Sequence, residues 1–181
     1  MPEPPLENIV LIGFMGSGKS TIGRELSQLL GYPLLDTDAL IVERDGRPIP
    51  RIFAESGEEA FRDLESAVLA DLHAGGPSHR VIATGGGIVT LPKNRRLLRR
   101  LGYVVWLMVT PKAVLRRTSR NKQRPLLNNP DPTGTISRLL EERTPLYRET
   151  SHLAVETDSL NFPEISAGII ESARYFFGRS K

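Results

Sequence analysis

The residues Gly13-Phe14-Met15-Gly16-Ser17-Gly18-Lys19-Ser20-Thr21 fit the pattern G-x-x-x-x-G-K-[ST]. Glycines at such spacing let successive backbone N–H groups curl around an anion, and the lysine adds a positive charge. The apolar run Asn8-Ile9-Val10-Leu11-Ile12 precedes the pattern and an amphipathic helical stretch from Ile22 to Leu30 follows it. Strand, glycine loop and helix form the context in which a triphosphate site is expected, with the positive end of the helix dipole aimed at the phosphates. Gly16, Ser17, Gly18, Lys19, Ser20 and Thr21 are then the candidate nucleotide ligands. Lys19 would lie against the β- and γ-phosphates, and the Ser20 hydroxyl would ligate Mg²⁺. The bland alternative is a glycine-rich turn with a surface lysine.

A second group of chemically useful residues is Asp36-Thr37-Asp38, directly after the short strand Leu34-Leu35. Carboxylates there belong at the carboxyl edge of a parallel sheet, where open α/β sheets bind ligands. One acid can serve Mg²⁺ through its water shell, and the other can take a proton from an incoming hydroxyl. The competing role is helix N-capping by Asp38. A third group is Gly85-Gly86-Gly87, at the end of the strand Arg80-Val81-Ile82-Ala83-Thr84. Three glycines past a strand allow a ligand or another chain to come close to the backbone.

These residues need a scaffold that brings three strand ends to one edge. Apolar strand-length runs alternate with helical patterns throughout the 181 residues, which is the signature of a parallel sheet covered by helices. Helical stretches are expected over residues 49–53, from a capping box at Ser56-Gly57-Glu58-Glu59, after Pro92 to about residue 101, over 111–120, 135–148 and 162–176. Strands are expected over 103–109 and 153–155. Arg62 falls beside the apolar stripe of its helix, where an i,i+4 pair with Glu58 accounts for it. Arg143 reads in the same way as a surface charge near Glu141 and Glu142. Residues 121–134 are polar and proline-rich, a segment suited to a closing lid that excludes water from phosphoryl transfer.

Bulk properties exclude several classes. The chain has no cysteine, which removes disulfides, thiolate zinc sites and cysteine nucleophiles. No run approaches the roughly 20 apolar residues of a membrane span, and Met1-Pro2-Glu3-Pro4-Pro5 is too short and polar for a signal peptide. A single cytoplasmic domain without membrane association is expected. Net charge is +3, and from Leu72 to Pro130 there is no Asp or Glu while Lys93, Arg95, Arg96, Arg99, Arg100, Lys112, Arg116, Arg117, Arg120, Lys122 and Arg124 fall inside. Nucleic-acid binding would use such a stretch, but few aromatics accompany it and no recognition motif does. A positive field around a polyphosphate explains the same residues. A regulatory GTPase would need N-K-x-D, whereas Asn121-Lys122-Gln123-Arg124 ends in arginine. A motor ATPase would need an acid after an apolar strand, whereas Ile82-Ala83-Thr84-Gly85 supplies none. A small-molecule kinase remains.

Six motifs in order resemble the shikimate kinases: the GFMGSGKST loop over residues 13–21, Asp36-Thr37-Asp38, Phe61-Arg62-Asp63-Leu64-Glu65, Gly85-Gly86-Gly87, Arg124-Pro125-Leu126-Leu127 and Arg143-Thr144-Pro145-Leu146-Tyr147. The resemblance spans nearly the whole chain. It implies a three-layer α/β/α fold of P-loop kinase type, with a five-stranded parallel sheet and a lid at about residues 121–134. It implies ATP- and Mg²⁺-dependent phosphorylation of the 3-hydroxyl of shikimate, a step toward chorismate and the aromatic amino acids, by a monomer. It assigns Lys19, Asp38 and Arg124 to catalysis, Asp36 and Ser20 to Mg²⁺, and Arg117 to the adenine. Asp38, Arg62, Gly85, Gly86, Gly87 and Arg143 would bind shikimate, the two arginines clamping its carboxylate. Segment 158–161 gives no residue match to the family's adenine loop. Kinases of aminoshikimate or gluconate, and a nucleotide-dependent nucleic-acid binder, are the alternatives.

Overall fold

The structure is a computed structural model that describes residues 7–76, 78–118, 129–159 and 161–179. Its elements alternate along the chain as β1 (Ile9–Ile12), α1 (Lys19–Leu30), β2 (Leu34–Asp36), α2 (Thr37–Asp45), α3 (Ile49–Ala74) and β3 (Val81–Ala83), then a 3-10 turn (Ile88–Thr90). They continue as α4 (Pro92–Leu101), β4 (Tyr103–Met108), α5 (Pro111–Thr118), α6 (Pro132–Thr150), β5 (Leu153–Glu156) and α7 (Phe162–Arg179). The five strands form one parallel sheet in the order β2-β3-β1-β4-β5. This is the expected five-stranded α/β arrangement.

All four side chains of β1 are fully buried, because helices cover both faces of the sheet and leave no polar side for alternation. Val10 and Ile12 join Ile82, Val104, Trp106, Leu69 and Tyr147 in one core layer, beneath α3, α4 and α6. Ile9 and Leu11 join Val81, Val105, Ile22, Leu26 and Ile169 in the other, beneath α1 and α7. Each such aliphatic side chain contributes about 1.5–3 kcal/mol relative to exposure, so burial on both faces anchors the central strand firmly. Register aligns Leu11 with Ala83 and Val105, and Ala83 with Asp36. The glycine loop, the carboxylates and the triple glycine therefore leave neighbouring strands at one edge.

Several boundaries differ from the sequence reading. The helices expected at 49–53 and from Ser56 are one span kinked at Gly57, whose φ of 81° is left-handed. Ser56 caps no helix start, since the span begins at Ile49; its Oγ accepts from Arg47 Nη1. Helix α6 starts at Pro132, not 135, because Asp131 accepts from the Gly134 amide and proline is favoured at the first helical position. Residues 132–134 of the expected lid are thus the first turn of a helix, and 121–128 lie outside the described residues. Helix α5 is described to Thr118, and α7 runs on to Arg179.

Several described residues of the basic stretch are engaged within the fold. Arg95 donates to the Val89 carbonyl, Arg99 to the carbonyls of Glu149 and Thr150, and Lys93 pairs with Asp63. Among the described residues no helix is long and apolar enough to cross a membrane.

Candidate active site

The glycine loop leaves β1 at Gly13 and turns into α1 at Gly18. Gly16 and Gly18 have φ of 74° and 98°, a left-handed conformation that a side chain would strain. The loop lines a cavity of about 410 Å³ with Met15, Gly16, Gly18, Lys19, Ser20 and Thr21. Asp36, Asp38, Thr84, Gly85, Gly86, Arg117 and Phe162 complete the wall. Lys19 Nζ donates to the Gly13 and Phe14 carbonyls at 2.7 and 2.8 Å, so the ammonium is held inside the loop. Ser17 is fully buried below it.

Arg117 is expected over a base, and the structure shows what fixes it. Its guanidinium donates to the Gly16 carbonyl at 3.0 Å and to the Thr157 carbonyl at 3.1 Å. It thereby ties the glycine loop to the turn after β5. Asp158 in that turn accepts from the Thr110 hydroxyl and amide, and Phe162 lies 3.3 Å from where a β-carbon on Gly18 would sit. Phe162 is an aromatic wall for the cavity that sequence reasoning did not single out.

The helix cap, considered for Asp38, falls on the other carboxylate. Asp36, not Asp38, caps α2, its Oδ1 accepting from the Asp38 amide at 2.9 Å and the Ala39 amide at 3.3 Å. Asp38 stands one step into the first turn. Thr37 between them is fully buried and accepts from the Gly85 amide at 3.1 Å, which fastens the acids to the triple glycine.

Around that glycine turn the residues converge. A β-carbon on Gly85 would sit 2.8 Å from Asp38 Oδ1 and 2.9 Å from Glu65 Oε1, and one on Gly86 3.3 Å from the Met15 amide nitrogen. One on Gly87 would collide with both Nη atoms of Arg62. Two carboxylates, the phosphate loop and an arginine thus all need the missing side chains.

Arg62 and Arg143 are not surface charges; they are 8% and 5% exposed. Arg62 does bond Glu58 at 2.9 Å, as its helical spacing suggests, but also Glu65 at 2.7 Å. Its burial works against the charge, and the two glutamates outweigh it, so its pKa is raised. Arg143 lies over the Phe14 ring at 5.6 Å, which brings it to the back of the glycine loop, and it lines a second cavity of about 690 Å³ with Glu58, Thr90 and Leu139. Glu142, expected beside it, pairs with Arg138 instead.

Glu65 is the residue the sequence reading passed over as a participant. It is fully buried, and burial pushes its carboxyl up to about 7 against the pull of Arg62, with Asp38 adding to the rise. Its Oε1 has no hydrogen-bond partner among the described residues. The available signal was its position one turn after Arg62 among Phe61, Leu64 and Val68. Arg124 lies outside the described residues. Apart from the buried Ser17, the expected loop residues, Asp36, Asp38, Gly85, Gly86 and Arg117 share the loop cavity, whereas Arg62 and Arg143 line other cavities and reach the site through Gly87 and Phe14. Two buried arginines close to the glycine turn and the phosphate loop supply the positive charge that an acidic ligand beside a triphosphate would need.

The family description "Shikimate kinase" matches residues 15–174. A shikimate kinase of Dechloromonas aromatica is 44% identical over 95% of this chain and 91% of its own. One of Thioalkalivibrio sulfidiphilus is 46% identical over 93% and 86%. Among solved structures, shikimate kinase from Acinetobacter baumannii in complex with shikimate superposes with a TM-score of 0.87 at 42% identity, over 92% of both chains. A gluconokinase from Sinorhizobium meliloti, at 18% identity and a TM-score of 0.57 over 96% and 93%, shares the fold alone. The order of motifs, the parallel sheet and the convergence at the triple glycine agree with these matches: the chain belongs to the shikimate kinase family.

Proposed function

We propose that the chain transfers the γ-phosphoryl group of ATP to the 3-hydroxyl of shikimate. The observation that carries this is the convergence of Asp38, Glu65 and Arg62 on the glycine turn at the wall of the loop cavity, with Arg143 behind the same loop. Lys19 and the loop amides would neutralise the triphosphate, and Arg117 would face the adenine. Asp38 would accept the hydroxyl proton as the bond to phosphorus forms. Arg62, Arg143 and the glycine amides would hold the carboxylate, and Arg124 would reach the transferred group.

Ser20 and Asp36 offer only oxygen donors at the cavity wall, a set that fits Mg²⁺. Ser20 and Asp36 would hold Mg²⁺ there, and the ion would supply positive charge to offset that of the phosphates. Asp36 would act through water, since its Oδ1 already caps α2.

The test is ADP release from Mg-ATP with shikimate, aminoshikimate and gluconate supplied in turn. Stimulation by shikimate above the others is expected; no turnover with shikimate would overturn the assignment. We propose further that the protein acts as a cytoplasmic monomer, and sedimentation under assay conditions checks the monomer.

A further inference from the structure

Tyr147 has no part in the chemistry above, yet it heads the fully buried large side chains of the fold. Its ring stacks on Trp106, with centroids 5.8 Å apart and planes at 25°. Phenylalanine would fill that space equally well. A buried phenol must instead place its hydroxyl, because an unpaired one costs desolvation energy. Here the hydroxyl donates to the carbonyl of Gly86, the middle residue of the glycine turn. Burial pushes the phenol up to about 12, with Arg143 opposing the rise, so the group remains a donor at neutral pH.

The bond matters because of what surrounds it. Gly85 O accepts from the Ile88 amide, and Gly87 O accepts from the Thr90 amide and hydroxyl. With Tyr147 on Gly86 O, all three carbonyls of the turn are engaged. The amides of Gly86 and Gly87 make no hydrogen bond among the described residues. These are two successive donors beside Arg62, and such pairs of amides accept anions. Neither residue has a β-carbon, so the peptide between them can rotate easily unless something holds it. Tyr147 sits one helical turn after Arg143 on α6, on the same face, and the Arg143 guanidinium lies close enough to act on its phenol.

We propose that Tyr147 is a positioning residue for the acid end of the acceptor. Its hydroxyl stops the Gly86–Gly87 peptide from rotating, and it locks the glycine turn to the helix that carries Arg143. The inference rests on the shikimate assignment, and the two fail separately. Absence of wild-type turnover with shikimate rejects the assignment, whereas the variants below bear on Tyr147 alone.

Tyr147→Phe keeps the ring and removes the bond. Its shikimate KM is expected to rise about tenfold, with ATP KM and kcat within about twofold of wild type. The defect should vanish with an acceptor analogue whose carboxylate is replaced by a carboxamide. An unchanged shikimate KM, or an equal rise for ATP, would overturn the proposal. Trp106→Phe, which loosens the stack but leaves the hydroxyl, should keep shikimate KM within about twofold; a rise matching that of Tyr147→Phe would assign the effect to packing. In wild-type protein, the Gly86 and Gly87 amide resonances should shift on adding shikimate alone, and their silence would equally overturn it.

Discussion

The guanidinium of Arg62 rests on the α-carbon of Gly87, so closely that a methyl group there would overlap both terminal nitrogens. The third glycine is therefore an imprint of the arginine, and exchanging it tests the clamp without touching a charge. Gly87→Ala should push Arg62 away from Glu65 and raise shikimate KM about tenfold or more, with ATP KM within about twofold. Steady-state kinetics with each substrate varied in turn checks this. A parallel rise for ATP would show that the whole turn had moved.

Asp38→Asn removes the proposed proton acceptor but leaves the α2 cap, which Asp36 supplies. General-base loss costs about 10²–10⁴-fold in rate, so kcat should fall by that order while calorimetric ATP affinity stays close to wild type. A near-normal rate would reduce Asp38 to a residue in a helix turn.

The strands and their order of appearance were legible because each is a short apolar run bounded by turn residues. The phosphate loop was legible because backbone geometry dictates its glycines. Arg62 and Arg143 were legible only through family motifs: helical spacing places them at the edge of apolar stripes, and their burial comes from Gly87 and Phe14, far away in sequence. Glu65 looks like any helical acid until Asp38 and Gly85 are brought beside it. Asp36 and Asp38 are both plausible caps by composition, and the register of β2 against β3 decides which residue ends the strand. The start of α6 was missed because Pro132 and Gly134 read as loop residues, whereas Asp131 caps them into a helix.

Glu65 is expected to make acceptor binding depend on pH. Its carboxyl, near 4.5 in an unfolded chain, is pushed up to about 7 in the fold, first by burial. Its contribution to stability is thus fully present below 4.5 and lost as pH rises through 7. Below 7 a neutral Glu65 would leave Arg62 shared only between Glu58 and the substrate carboxylate; above it, the ionised acid would compete for Arg62 and repel the substrate. Shikimate KM should climb as pH rises from about 6 to about 8.5, and Glu65→Gln should flatten the profile. A bend that survives the substitution would implicate another group.

His152 gives an opposite dependence. Its Nδ1 accepts from the Val104 amide at 2.9 Å, and its ring stacks on Tyr103. Burial, and then Arg99, lower its pKa from 6.5. The unfolded chain therefore binds the proton more readily, so stability is present above 6.5 and lost as pH falls through the lower folded value. Protonation also removes the lone pair that Val104 uses. Melting curves of wild type and His152→Asn, whose Oδ1 can replace Nδ1, should diverge below that point, with the wild type more acid-sensitive. Parallel curves would clear His152.

The row formed by Leu11, Ala83 and Asp36 acts as a common datum for the catalytic edge. Parallel strands rise about 3.3 Å per residue, and a one-residue shift also reverses the face of every side chain. Inserting a single residue within β2 would carry Asp38 away from Gly85 and turn the edge strand inside out, whereas loops at the opposite end of the sheet are under no such demand. The molecule should therefore tolerate changes of length on one side only, and circular permutants opened on the side away from the phosphate loop are the ones expected to keep both substrates in reach of each other.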